Sequence, residues 1–278
     1  MPDLRLPQEL LDHVLDLLCH DKRVLNNCCL VSKSWIPRTR KHLFAHIRFE
    51  TEADLESWKN TFPDPSTSPA RHTKTLRVGC SHLVTAEDAD VGGWIRGFSA
   101  VVDLEVGGQK KHLDGSEISL VPLYGFSPVI KSLHADFVAI PSSQLFDLIL
   151  SFPLLEDLSV IDSYGLLDND VGSGGLPAPV RHSNPPMLTG SLELSLGGVR
   201  PMAPRLLSLP GGIHFRKLTL AQFHNNNLPL ATGLVEACSH TLKSLKLSCS
   251  SRGTSIPHTR VCTENSSPVP SWGGDSLI

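Results

Sequence analysis

The sequence predicts an α/β chain: a small helical unit first, then a solenoid of parallel strands with helices or loops on its convex side. Three observations carry this expectation. A strand-like pattern of two variable residues followed by apolar-x-apolar recurs at near-constant spacing between residues 46 and 250. Amphipathic segments separate several of its copies. The residues up to about 45 instead place their apolar side chains at helical spacing.

The 278 residues suffice for one large domain or two modest ones, with a substantial core. Hydrophobic content of 40% and charged content of 19% are globular values. A net charge of −3 supplies no broad field for nucleic acid or an anionic membrane, so neither is expected as a partner. Cys19, Cys28, Cys29, Cys80, Cys238, Cys249 and Cys262 make an odd number without a C-x-x-C pair, unlike the frameworks of small secreted domains. Asp3, Glu9, Asp12 and Asp16 interrupt any signal-like apolar run. No stretch approaches the roughly eighteen apolar residues that span a bilayer. A reducing cytoplasmic or nuclear setting is therefore expected. Asn265-Ser266-Ser267 fits the glycosylation pattern but lacks the secretory signal that would give it meaning.

Pro7 reads as the first turn of a helix, where its missing N–H costs nothing. Leu10, Val14, Leu17 and Leu18 then form one stripe, with Asp12 and Asp16 on the other side. Asp21 is a candidate N-cap for a second helix. In that helix Val24, Cys28, Val31 and Trp35 step by four, three and four, and Leu25 and Cys29 flank the stripe. Adjacent cysteines on a helix diverge by about 100°, which suits packing better than joint metal ligation. Pro37 stops or restarts the chain, and RTRKHLF (38–44) is expected to form a third short helix with a solvated basic face. Three such helices make a poor independent core and want a neighbour.

Leu6-Pro7, Glu9-Leu10, Val14, Leu17-Leu18, Leu25 and Leu30-Val31-Ser32-Lys33-Ser34-Trp35 together resemble an F-box over roughly residues 4–45. That family's pattern opens on Leu-Pro-x-Glu and closes on Leu-Val-(Cys/Ser)-(Lys/Arg)-x-Trp. Cys28 and Cys29 depart from it, standing where small or aliphatic residues are usual. The resemblance implies docking on a Skp-type adaptor, through which the chain would join a cullin–RING ubiquitin ligase. It also implies that Leu6, Pro7, Leu10, Val14, Leu17, Leu25, Leu30, Val31 and Trp35 divide between a small core and the adaptor-binding surface.

Over residues 46–250 the recurring pattern appears as KTLRV (74–78), VDLEV (102–106), KSLHA (131–135), EDLSV (156–160), GSLEL (190–194), RKLTL (216–220) and KSLKL (243–247). The spacings between their central leucines, Leu76 to Leu245, are 28, 29, 25, 34, 26 and 27 residues. HIRF (46–49) supplies an earlier member, 29 residues upstream. The period resembles that of leucine-rich repeats, about 20–29 residues. The long step contains a Gly/Pro-rich insertion at 165–186. ADLESWKNTF (53–62), SSQLFDLILSF (142–152) and LPLATGLVEACSH (228–240) read as intervening helices. FPLLEDLSV (152–160) is similar to the irregular leucine-rich repeats joined to F-boxes in fungal proteins. Stacking is required because one strand–helix unit cannot cover its own apolar face.

The segment 251–278 breaks the pattern and cannot supply a capping repeat. It is expected to be disordered, or else a truncated or misassembled end of the encoded chain.

Chemistry is sparse. Cys19-His20, Cys80-x-His82 and Cys238-x-His240 do not recur at zinc-ligand spacing, so no metal is expected. No G-x-S-x-G or G-x-x-x-x-G-K-[ST] motif is present, and no catalytic residue or cofactor is expected. GGQKK (107–111) and GSGG (172–175) lack a phosphate-binding context, and Asp168 and Asp170 read as solvated charge.

Strand alternation sends the central x of each Leu-x-Leu to the concave face. Those residues are Arg48, Arg77, Glu105, His134, Ser159, Glu193, Thr219 and Lys246, a mixed polar surface suited to an unknown protein substrate or simply to water. Two functions remain open: a substrate-recruiting adaptor of an SCF-type ubiquitin ligase, or a repeat scaffold outside any ubiquitin pathway. A mere cap would have its apolar helical stripe covered by the first repeat. A docking module would leave it exposed.

Overall fold

The computed structural model describes residues 7–64, 67–79, 83, 91–107, 119–136, 142–161, 186–195, 199–223 and 227–249. Leu6, the 165–186 insertion apart from Pro186, the 251–278 segment, Cys80, His82, Asp168 and Asp170 lie outside the described residues. So do both glycine-containing loops apart from Gly107.

Helices α1 (Gln8–Leu17), α2 (Lys22–Val31) and α3 (Ile36–Leu43) come first. Asp21 caps α2 by accepting from the backbone N–H groups of Arg23 and Val24, each at 3.0 Å. The helix stops at Val31, and Ser32 turns to an extended conformation. Lys33–Trp35 then forms a single 3-10 turn. Pro37 sits in the first turn of α3, where no intrahelical donor is needed.

Eight parallel strands follow in strict chain order: β1 (His46–Phe49), β2 (Thr75–Gly79), β3 (Asp103–Gly107), β4 (Ser132–Asp136), β5 (Asp157–Ile161), β6 (Ser191–Ser195), β7 (Lys217–Phe223) and β8 (Ser244–Cys249). Helices α4 (Glu52–Thr61), α5 (Val91–Ile95), α6 (Ser142–Leu150), α7 (Val199–Leu207) and α8 (Leu228–Ala237) lie between β1 and β2, β2 and β3, β4 and β5, β6 and β7, and β7 and β8. Parallel neighbours in chain order require a crossover connection at each step. The result is an α/β architecture with one all-parallel sheet, compatible with a solenoid-like stack.

Leu76, Leu104, Leu133, Leu158, Leu192 and Leu218 are in register across the sheet and fully buried. Val78, Val106, Ala135, Val160, Leu194 and Leu220 form a second buried row two residues on. Each buried leucine contributes roughly 1.5–3 kcal/mol relative to an exposed one. Leu145, Ile149 and Phe152, read as the apolar stripe after β4, are all buried in this core. The insertion falls between β5 and β6. There Asp157 Oδ1 accepts from both the N–H and the hydroxyl of Ser191, at 2.6 Å each. A bulge in β7 places Gln222 in the left-handed region at φ 55°.

The helical unit keeps a small core of its own: Leu15, Leu25 and Cys28, with Leu18, Val24, Trp35 and Leu43 against it. The division between core and surface that the two stripes left open is thereby drawn. The buried side of α1 is centred on Leu15, not on Leu10, Val14 and Leu17, because α3 packs against the side bearing Asp16. In α2 the buried pair is Leu25 and Cys28, while Val31 leaves the stripe as the helix ends. An aromatic chain joins this unit to the sheet. Phe44 packs edge-on against Trp58 and Phe62, and Trp58 reaches Phe49 and Phe98. The Ala45 carbonyl accepts from the N–H groups of Lys74 and Thr75.

Candidate functional site

Two surfaces collect the residues singled out in the sequence. The first lies on α1 and α2. Leu25 is fully buried and Trp35 half-buried, so both belong to the small core. Leu10, Val14, Leu17, Leu30 and Val31 are instead 53, 49, 69, 86 and 67% exposed. Pro7 is exposed as well. Leu10, Val14 and Leu17 stack along one side of α1, four and three residues apart. Leu30 and Val31 end α2. None of these five packs on the first repeat's core.

Besides the packing of Leu15 in the small core, α1 is tied to α3 by a clasp that the sequence did not signal. Asp16 accepts from Arg38 Nε at 2.6 Å and from a second Arg38 nitrogen, Nη2, and it pairs with His42 Nε2 at 2.7 Å. Hydrogen bonds from Arg38 and then His42 hold the Asp16 carboxyl well below the usual carboxylate range. The basic run 38–42 is thus not simply a solvated face: Arg38 and His42 turn toward α1, while Arg40 and Lys41 stay exposed. The spacing of 22 and 26 residues gave no local signal for this contact.

The second surface is the face of the sheet opposite the core. Arg48, Arg77, Glu105, His134, Ser159, Glu193, Thr219 and Lys246 form one continuous in-register row across all eight strands. Arg48 and Lys246 are exposed and the rest half-buried. Arg77 bridges Glu105 at 3.3 Å and Glu50 at 3.5 Å. Ser159 donates to Glu193 at 3.3 Å, and Thr75 to Asp103 at 3.4 Å. Over β1–β4 this face forms an open cavity of about 600 Å³, whose walls include His46, Arg48, Arg77, Asp103, Glu105 and His134.

Among the described residues, no group of three or more His, Cys, Asp or Glu is placed to hold a metal ion. Cys238 is buried, and burial pushes its thiol up, so it packs as a small apolar side chain. No described helix is long and apolar enough to cross a membrane. Comparison with protein-family models, curated proteins and solved structures finds no match to this chain.

Proposed function

We propose that the chain is a substrate-recruiting adaptor: α1–α3 act as an F-box on a Skp-type subunit of a cullin–RING ubiquitin ligase, and the sheet acts as an irregular leucine-rich-repeat solenoid. The observation that carries the reading is the outward apolar side of α1 and the outward end of α2. A helical cap serving only the solenoid would turn those leucines onto the first repeat. Here they face solvent while Leu15, Leu25 and Cys28 fill a separate small core. Leu10, Val14 and Leu17 along α1, and Leu30 and Val31 at the end of α2, are exposed large apolar residues of the kind found at protein interfaces. Covering them is favourable at roughly 25 cal/mol per Å² of apolar area, less ordering costs. The aromatic chain from Phe44 to Phe98 would hold the docking helices in fixed relation to the sheet. The substrate would then be presented by the polar face.

The test is co-purification of the full chain with a purified Skp-type adaptor. The unsubstituted chain should retain the adaptor, and a Leu10→Asp/Val31→Asp chain with an unchanged circular-dichroism spectrum should not. Failure of the unsubstituted, folded chain to retain it would leave the alternative, a repeat scaffold without a ligase role.

A further inference from the structure

The charges on the polar face are sorted by strand. Within β1 and β2 that face carries Arg48 and Arg77 and no carboxylate, with Glu50 just past β1 bridging Arg77. Within β3–β6 it carries Asp103, Glu105, Asp136, Asp157 and Glu193 and no lysine or arginine. Within β7 and β8 it carries Lys217 and Lys246, again without a carboxylate. The order along the stack is cationic, anionic, cationic. The cavity over β1–β4 spans the first boundary between these bands. A second feature coincides with the middle band. The residues three or four positions before β4, β5 and β6 are Val129, Leu154 and Met187, apolar and exposed by 37, 50 and 71%. Lys131 and Glu156 pair at 3.1 Å beside them, which neutralises that rim.

From this arrangement we propose that the polar face binds an extended segment of a partner protein lying across the strands, basic in its centre, acidic at both ends, with apolar residues interleaved among the basic ones. The inference rests on the reading of this face as the substrate surface and names the class of segment it takes. From β3 to β6 there are three strand spacings, roughly 14 Å. An extended chain repeats its facing side chains every ~6.6 Å, so about three basic residues at alternate positions meet the anionic band. Lying along the N-terminal ends of the strands, the segment sends its basic row over the band and its opposite, apolar row toward the Val129–Leu154–Met187 rim. The acidic ends meet Arg48 and Arg77 on one side and Lys217 and Lys246 on the other. Like charges placed opposite one another disfavour a segment of inverted sign.

Fluorescence anisotropy on the full chain tests this with two labelled nonapeptides. One has lysines at three alternate central positions, leucines between them and aspartates at both ends. The other exchanges lysine for glutamate and aspartate for arginine. The first peptide binds saturably, more weakly as salt rises, and at least about tenfold tighter than the second. Glu105→Gln/Glu193→Gln lowers its affinity about tenfold, and Leu154→Ser/Met187→Ser lowers it several-fold. Equal affinity for both peptides, no saturable binding of the first, or unchanged affinity in a folded Glu105→Gln/Glu193→Gln chain overturns the proposal. Adaptor retention by the same preparation reads the docking claim separately, so either can fail alone.

Discussion

Arg38 of α3 grips Asp16 of α1 through two guanidinium nitrogens, on the helix whose Leu15 is buried in the small core with Leu25 and Cys28. With His42 adding a third contact, the carboxylate-bearing side of α1 is fixed against α3, leaving Leu10, Val14 and Leu17 outward. The electrostatic clasp and the exposed leucines are two consequences of one helix orientation.

Asp16→Asn therefore loosens α1 and weakens the helical unit without touching the sheet. The native carboxyl titrates below its ordinary value near 4, so its contribution is fully present above about pH 4 and is lost as pH falls below that. Tryptophan fluorescence between pH 6 and pH 2 checks this, since Trp35 lies against the small core. The unsubstituted chain should lose helical-unit structure on acidification, and the Asn variant should start lower and change less.

Leu25 and Leu30 lie five residues apart on one helix and should respond oppositely to substitution. Leu25 is fully buried, so Leu25→Ala costs about 2–5 kcal/mol. Leu30→Asp and Val31→Asp change surface only and should stay within about 0.5 kcal/mol. Urea denaturation followed by circular dichroism separates the two classes. Equal losses at Leu25 and Leu30 would mean that α2 is turned the other way.

The joint across the insertion depends on Gly190. A Cβ built there meets Asp157 Oδ1 at 2.4 Å and the Glu156 carbonyl at 2.9 Å. Asp157 cannot move away without surrendering both hydrogen bonds from Ser191. Gly190→Ala should destabilise the chain by about 1–3 kcal/mol, read as a lowered thermal midpoint. Gly211→Ala, where an added Cβ meets nothing within 4 Å, is the matched control.

The sheet was legible because strand side chains alternate and one face is buried, so the apolar-x-apolar pattern recurring at near-constant spacing carried both strand and register. The row from Arg48 to Lys246 follows from that alternation alone. Helix α7 was not legible, since Pro201 and Pro204 argue against a helix. Pro201 falls in the first turn, where its N–H would be unpaired anyway, and burial of Val199, Met202, Ala203 and Leu206 offsets the interior Pro204. Helix α1 left its buried side open because it carries two apolar sides, Leu10–Val14–Leu17 and Leu11–Leu15–Leu18. Spacing along ten residues cannot choose between them; the packing of Leu15 with Leu25 and Cys28 does. The exposed rim at Val129, Leu154 and Met187 also escaped notice, because apolar residues just before a strand look like more core.

The most direct test of docking through the outward side of α1 and α2 is amide hydrogen exchange of the full chain with and without a Skp-type adaptor. The account predicts added protection confined to α1, α2 and the turn through Trp35, with exchange in β3–β8 unchanged. Protection centred on the sheet, or none anywhere at saturating adaptor, would contradict it.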